Sequence, residues 1–143
     1  MPRFQKSIFT PQHPEKYIGK HLPIMRSSWE TSFAIFCDHH NAITEWASEP
    51  FAIKYHDPLT NKLKSYFPDF LIMYVDQTGT KKCELIEIKP IKQTGRKKSK
   101  SLIDTAQTVR NHAKWAAAQQ YCSMNGIQFR ILTENEIFKT GTK

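Results

Sequence analysis

Phe67-Pro68-Asp69-Phe70-Leu71-Ile72-Met73-Tyr74-Val75 and Cys83-Glu84-Leu85-Ile86-Glu87-Ile88-Lys89 flank the polar stretch Asp76-Gln77-Thr78-Gly79-Thr80. β-Branched and aromatic residues fill both flanks and turn formers fill the middle, which predicts two antiparallel strands joined by a short turn. With the turn centred on Thr78, Asp69 faces Glu87, Leu71 faces Leu85 and Met73 faces Cys83. Lys89, two residues beyond Glu87, projects from the same face. The opposite face carries Phe70, Ile72, Ile86 and Ile88. Apolar residues on both faces require cover on both sides, so helices are expected to sandwich this sheet.

The flanking sequence supplies those helices. Trp29, Phe33, Phe36, Cys37 and His40 recur at helical spacing from about Ser27, and Ser27-Ser28-Trp29-Glu30 fits a capping box in which Glu30 reaches back to the Ser27 amide. Asn41 ends that run. Extended segments are expected at Ile43 to Trp46 and Phe51 to Tyr55, with a turn over Asp57-Pro58 to Asn61. A second helix is predicted from about Thr105 to Met124, with Val109, Ala113, Ala116, Ala117, Gln120 and Met124 as its core face and Asn125-Gly126 as its C-terminal stop. Ile127 to Leu132 then alternates like a strand, and Thr133-Glu134-Asn135-Glu136 opens a short terminal helix. Residues 1–25 hold Pro2, Pro11, Pro14 and Pro23 among Arg3, Lys6, Lys16 and Lys20. They read as an extended basic arm lying on the domain, on DNA or on a protein partner, ahead of a single domain over residues 26–143. The fold class expected is a compact α/β sandwich.

Composition narrows the function. The 143 residues suit one core, and 39% hydrophobic with 12% aromatic content is too much for a disordered chain. The net charge of +8 points to a polyanionic partner, with nucleic acid the natural one. Cys37, Cys83 and Cys122 are odd in number and far apart, which argues against a disulfide framework. Cys37-Asp38-His39-His40 has no second ligand pair at zinc-site spacing. No apolar run is long enough to span a membrane, and the amino terminus lacks the core of a signal peptide.

The predicted hairpin gathers Asp69, Glu87 and Lys89 at one end of a buried sheet. Two carboxylates on neighbouring strands repel each other unless a cation sits between them, and hard oxygen donors of this kind suit Mg²⁺. Such an ion lowers the pKa of a bound water and offsets charge on a phosphodiester, while a lysine beside it orients that water and stabilises developing negative charge. A hydrolytic nuclease is the simplest reaction class. A third carboxylate would come from outside the sheet. Glu30 is the first candidate, although its place in a capping box already explains it, and Glu49 is the second.

Pro68-Asp69 followed by Glu87-Ile88-Lys89 resembles the Pro-Asp…(Asp/Glu)-x-Lys signature, PD-(D/E)xK, of the restriction-endonuclease-like nucleases. Arg26-Ser27-Ser28-Trp29-Glu30, Trp46-Ala47-Ser48-Glu49, Tyr66-Phe67-Pro68-Asp69, Glu87-Ile88-Lys89-Pro90, Lys114-Trp115-Ala116-Ala117-Ala118 and Phe129-Arg130-Ile131-Leu132-Thr133-Glu134 narrow the likeness. In that order they are similar to the head-completion nucleases of tailed phages, relatives of the TnsA-type transposon endonuclease subunit. The likeness runs over about residues 26 to 136. It implies a mixed sheet of four or five strands between helices, and DNA cleavage dependent on Mg²⁺, with Mn²⁺ as a substitute. Asp69, Glu87 and Glu30 would be metal ligands and Lys89 the catalytic lysine. It also implies a role in head completion or DNA packaging, with the portal, neck or other head proteins as partners. The location would be the host cytoplasm during assembly, or the virion.

Phosphate neutralisation calls for basic side chains around the mouth of such a site, and Arg26, Lys92, Arg96, Lys97, Lys98, Lys100, Arg110 and Lys114 are the candidates. No base-reading motif is present, so little sequence specificity is expected. Trp115 and Tyr121 read as packing residues rather than base-stacking platforms. The competing reading is a non-cleaving structural protein of the head–portal assembly that uses the same fold to dock on DNA.

Overall fold

The computed structural model describes residues 6–95 and 102–141, the side chains of 138–141 excepted. In chain order its elements are β1 (Ser7–Ile8), a 3-10 turn at Pro14–Lys16, β2 (Ile24–Met25), α1 (Ser28–His39), β3 (Ile43–Ser48), β4 (Ile53–Asp57), β5 (Lys62–Tyr66), β6 (Phe70–Val75), β7 (Lys81–Ile88), a 3-10 turn at Ile91–Gln93, α2 (Leu102–Met124), β8 (Gln128–Leu132) and α3 (Glu134–Gly141).

β6 and β7 form the predicted hairpin in the predicted register, with Leu71 opposite Leu85 and Met73 opposite Cys83. The Asp76 carboxylate fixes the turn by accepting from the Thr78 and Thr80 amides at 2.9 and 3.0 Å, and Gly79 takes the positive φ of 83° that the reversal needs. β3 pairs antiparallel with β6, and β8 pairs parallel with β7 after α2 has carried the chain back, giving a mixed four-stranded sheet in the order β3-β6-β7-β8.

Both faces are covered, by different means. Phe70, Ile72, Ile86 and Ile88 pack against Trp29, Phe33, Ala34 and Cys37 of α1 and Ile137 of α3. Leu85, with Leu71, Phe129 and Ile131 beside it, packs against Trp115, Ala118 and Cys122 of α2 and against Ile53, Tyr55 and Tyr66. Each fully buried Leu, Ile or Phe contributes about 1.5–3 kcal/mol, so two such clusters fix the sheet on both sides.

Three expectations are corrected. The core face of α2 is Asn111, Trp115, Ala118 and Cys122, whereas Val109 and Met124 are 41% and 78% exposed. Alanines are tolerated on either side of a helix, so the indole of Trp115 sets the rotation. β5 is a strand of its own, paired with β4 in a separate hairpin whose turn residue Asn61 has φ 57°. Its alternation places Leu63 in solvent and Tyr66 in the core, which hid it among lysines. His40 is exposed beyond the end of α1 rather than on its core face.

The basic arm, over its described residues, takes one of the three places expected of it. Residues 6–25 lie on the domain: β1 and β2 pair, Phe9 and Tyr17 stack edge-on against Trp46, and Met25 is fully buried. The Gln12 and His13 amides donate to the buried Asp38 carboxylate at 2.8 and 3.0 Å, and Lys16 Nζ donates to the Asp38 and His40 carbonyls that end α1. Prolines there deny a long helix yet leave aromatics free to pack.

Candidate active site

Asp69 and Glu87 meet where β6 begins and β7 ends. Pro68, buried and without an N–H, stops the pairing of the chain entering β6, and the Asp69 carbonyl accepts instead from the Glu49 amide at 2.9 Å. Asp69 Oδ2 accepts from the Ile88 amide at 2.7 Å, which locks the carboxylate against Glu87-Ile88-Lys89. The ladder outlasts β7 by one bond, Lys89 N–H to the Leu132 carbonyl at 3.0 Å, so the backbone of Lys89 is fixed by β8. Glu87 is buried and its Oε1 accepts from the Tyr66 hydroxyl at 3.1 Å. Asp69 Oδ1 and Glu87 Oε2 have no hydrogen-bond partner among the described residues.

The electrostatics follow from that crowding. Burial pushes the Asp69 carboxyl up to about 6, against the pull of the Ile88 amide and the Lys89 charge. Burial and then the neighbouring Asp69 charge hold Glu87 well above the ordinary carboxylate range. Burial and Asp69 likewise carry Glu30 to about 7. Asp69 lies within electrostatic reach of both Glu87 and Glu30, and acids so placed resist ionising together.

Glu30 sits in the first turn of α1 and is held as a cap. The Ser27 hydroxyl accepts from its amide at 3.2 Å, and its Oε1 accepts from the amide of Arg26 rather than that of Ser27. Among the described residues no three His, Cys, Asp or Glu side chains converge as a metal-holding group. The structure therefore brings Asp69 and Glu87 together and keeps the Glu30 carboxylate beside them on its own hydrogen bonds. Glu49, at φ 45°, turns its carboxylate to Arg26 Nε at 2.6 Å.

The basic candidates separate. Arg26 is half-exposed and paired with Glu49. Lys92 is exposed in the 3-10 turn just after Lys89 and Pro90. Arg110 is engaged by the buried Asp57, at 3.1 Å, beside Lys64 at 2.8 Å. Lys114 lies within the site, over the rings of Tyr55 and Tyr66. Arg96, Lys97, Lys98 and Lys100 lie outside the described residues. Trp115 is buried and Tyr121 stacks on Phe51, which makes both packing residues. Sequence reasoning missed Tyr66 as the partner of Glu87; its only signal was an aromatic three residues before Asp69, on a strand that was itself missed.

A family model described as TnsA-like endonuclease N terminal matches residues 40–134. The head completion nuclease of Enterobacteria phage T4 is 34% identical over 146 residues, covering 94% of this chain and 95% of its own length. The chain belongs to the TnsA-like head-completion nucleases. Its mixed sheet between helices is the restriction-endonuclease-like fold of these TnsA-like endonucleases. The stretch matched to the TnsA-like endonuclease model contains Tyr66, Asp69, Glu87, Lys89 and Lys114, and begins after Glu30. None of the described helices is long and apolar enough to cross a membrane.

Proposed function

We propose that the protein hydrolyses DNA phosphodiester bonds with a divalent cation, Mg²⁺ or Mn²⁺, held by Asp69 and Glu87. The observation that carries this reading is the buried pair itself, with one oxygen of each carboxylate free of hydrogen bonds among the described residues and Lys89 anchored beside them. Hard carboxylate oxygens in this number fit Mg²⁺, which keeps several waters and shares its remaining positions with substrate phosphate. When bound, the ion supplies a water of lowered pKa and offsets charge on the phosphate.

The chain's own groups do the positioning. Asp69 is oriented by the Ile88 amide and Glu87 by the Tyr66 hydroxyl, so neither rotates as charge builds. Lys89 presents its ammonium to the attacking water and to the non-bridging oxygens, where negative charge grows. Glu30, held in its cap, acts through a water rather than as a direct ligand. Water oxygen bonds to phosphorus as one ester P–O bond breaks; one water proton passes to solvent and the leaving alkoxide takes a proton from solvent, giving a phosphate monoester and a free hydroxyl. Lys92 and the Arg96 to Lys100 segment follow the catalytic strand and would hold the DNA backbone without reading bases.

The name of the T4 relative, head completion nuclease, supports placing this activity in phage head completion. The host cytoplasm or the virion as its location, and head or portal proteins as its partners, are proposed with that reading. Plasmid DNA incubated with the protein in Mg²⁺, Mn²⁺ or EDTA, beside Lys89→Ala, tests the chemistry. Nicking that needs the metal and disappears in the variant is expected; a native protein that cuts in neither metal overturns the reading in favour of a non-cleaving head protein.

A further inference from the structure

Lys114 is the group on this page that the functional reading leaves unexplained. It projects from α2 into the site, half-buried, with its ammonium 5.8 Å from the ring centroid of Tyr55 and 5.7 Å from that of Tyr66. The two rings stand at 89° with centroids 6.4 Å apart, so they form a two-walled cradle that limits where the ammonium can go. Tyr66 is also the residue whose hydroxyl orients Glu87. One ring thus fixes a carboxylate with its edge oxygen and a cation with its face.

The ammonium has three donors but neither a hydrogen bond nor an ion pair among the described residues. Burial and the nearby Lys89 charge push it below the ordinary lysine range, while Glu87 and Asp69 act the other way. A cation kept partly out of water and without an anion is costly unless an anion arrives. The charges say which. Arg26 is matched by Glu49, and a divalent ion would match Asp69 and Glu87, so that Lys89 and Lys114 face only Glu30 and leave a surplus of at least one. A phosphodiester carries one negative charge and gains toward a second as water adds.

We propose that Lys114 is a second catalytic lysine of the site, donating to a non-bridging oxygen of the phosphodiester under attack, and that the Tyr55–Tyr66 cradle aims it. The inference rests on the hydrolytic reading above. It separates Lys114 from the groove-lining cations, because its contact strengthens as charge grows on phosphorus rather than serving equally in the bound state.

The test measures single-turnover cleavage of a DNA duplex in Mg²⁺, its Kd in EDTA, and thermal stability, for native protein, Lys114→Met, Lys114→Arg and Lys92→Ala. Lys114→Met is expected to cleave about 100-fold more slowly at saturating DNA, with Kd changed less than about threefold and an unaltered melting temperature. Lys114→Arg should recover part of the rate, since it restores the charge in a different shape. Lys114→Met that cleaves at the native rate, or that loses only affinity as Lys92→Ala does, overturns the proposal while the nuclease reading stands. A native protein inert in both metals overturns both.

Discussion

β7 carries two buried glutamates three residues apart, and their fates differ. Glu84 points to the face covered by α1 and α3, where the Tyr74 hydroxyl donates to its Oε2 and Arg130 Nε stands 3.2 Å from its Oε1. Glu87 points to the face covered by α2 and the β4–β5 hairpin, where a tyrosine hydroxyl donates to it, another acid repels it, and Lys89 and Lys114 act on it only through space. Same residue type, same strand, similar burial: one has an ion pair with a cation of its own sheet and the other has none among the described residues. Burial of charge thus marks a site only where the partner is missing.

The largest effect that can break this contrast is on catalysis. Glu87→Gln and Asp69→Asn should each slow DNA cleavage by on the order of 10³-fold. Both should also raise the melting temperature of metal-free protein at pH 8 by about 3–5 °C, because a repelling buried charge is gone. The pH dependence gives the sign. Asp69 at about 6 and Glu30 at about 7 hold protons in the native state that the unfolded chain has already lost. Metal-free stability should therefore fall as pH rises from about 4 through about 7. Thermal melts across that range should show the fall in native protein and a shallower one in Glu87→Gln; an unchanged slope would mean that the carboxylates do not crowd each other.

Glu30→Gln comes next in size. Glutamine keeps an acceptor for the Arg26 amide, so the cap survives and the melting temperature should stay within about 1–2 °C. Cleavage should drop about tenfold, through loss of a charge near Asp69. A fall in stability with full activity would show a cap and nothing more.

Glu84→Gln is the control at the matched end. It strands the half-exposed Arg130 and should cost about 1–2 kcal/mol in denaturant unfolding. Cleavage should be unchanged, and the pH slope of stability should remain native. Lost cleavage here would erase the distinction between the two glutamates.

How far the sequence reached follows the same line. Period-two alternation around a short polar turn has one register that keeps each face apolar, which is why the Asp69, Glu87 and Lys89 cluster was readable in advance. The rotation of α2 was not readable from its alanines, because small side chains leave the burial term nearly flat until Trp115 is weighed against them. β5 was obscured because Lys62 and Lys64 share a face with buried Tyr66, Lys64 pairing with Asp57, while its apolar Leu63 lies in solvent. The contact of Tyr66 with Glu87 and the cradle around Lys114 join segments far apart in the chain, through packing that no local pattern records. Arg110 looked like any exposed helix cation because the acid that claims it, Asp57, belongs to a hairpin only half recognised.

The smallest effect separates the two ends of β7 from outside. Lys82, near the turn, stands 4.0 Å from Asp76, whereas Lys92 is exposed just beyond the catalytic end. Each phosphate contact adds roughly 0.9 to the slope of log K against log salt. Lys92→Ala should reduce that slope by about one, so that its loss of affinity relative to native protein is about threefold smaller at 200 mM salt than at 50 mM. Lys82→Ala should leave the slope alone, since DNA entering at Asp69 and Glu87 does not pass the turn. Equal losses in the two variants would spread the DNA path along the whole strand, and the acidic pair would no longer mark where the backbone is gripped.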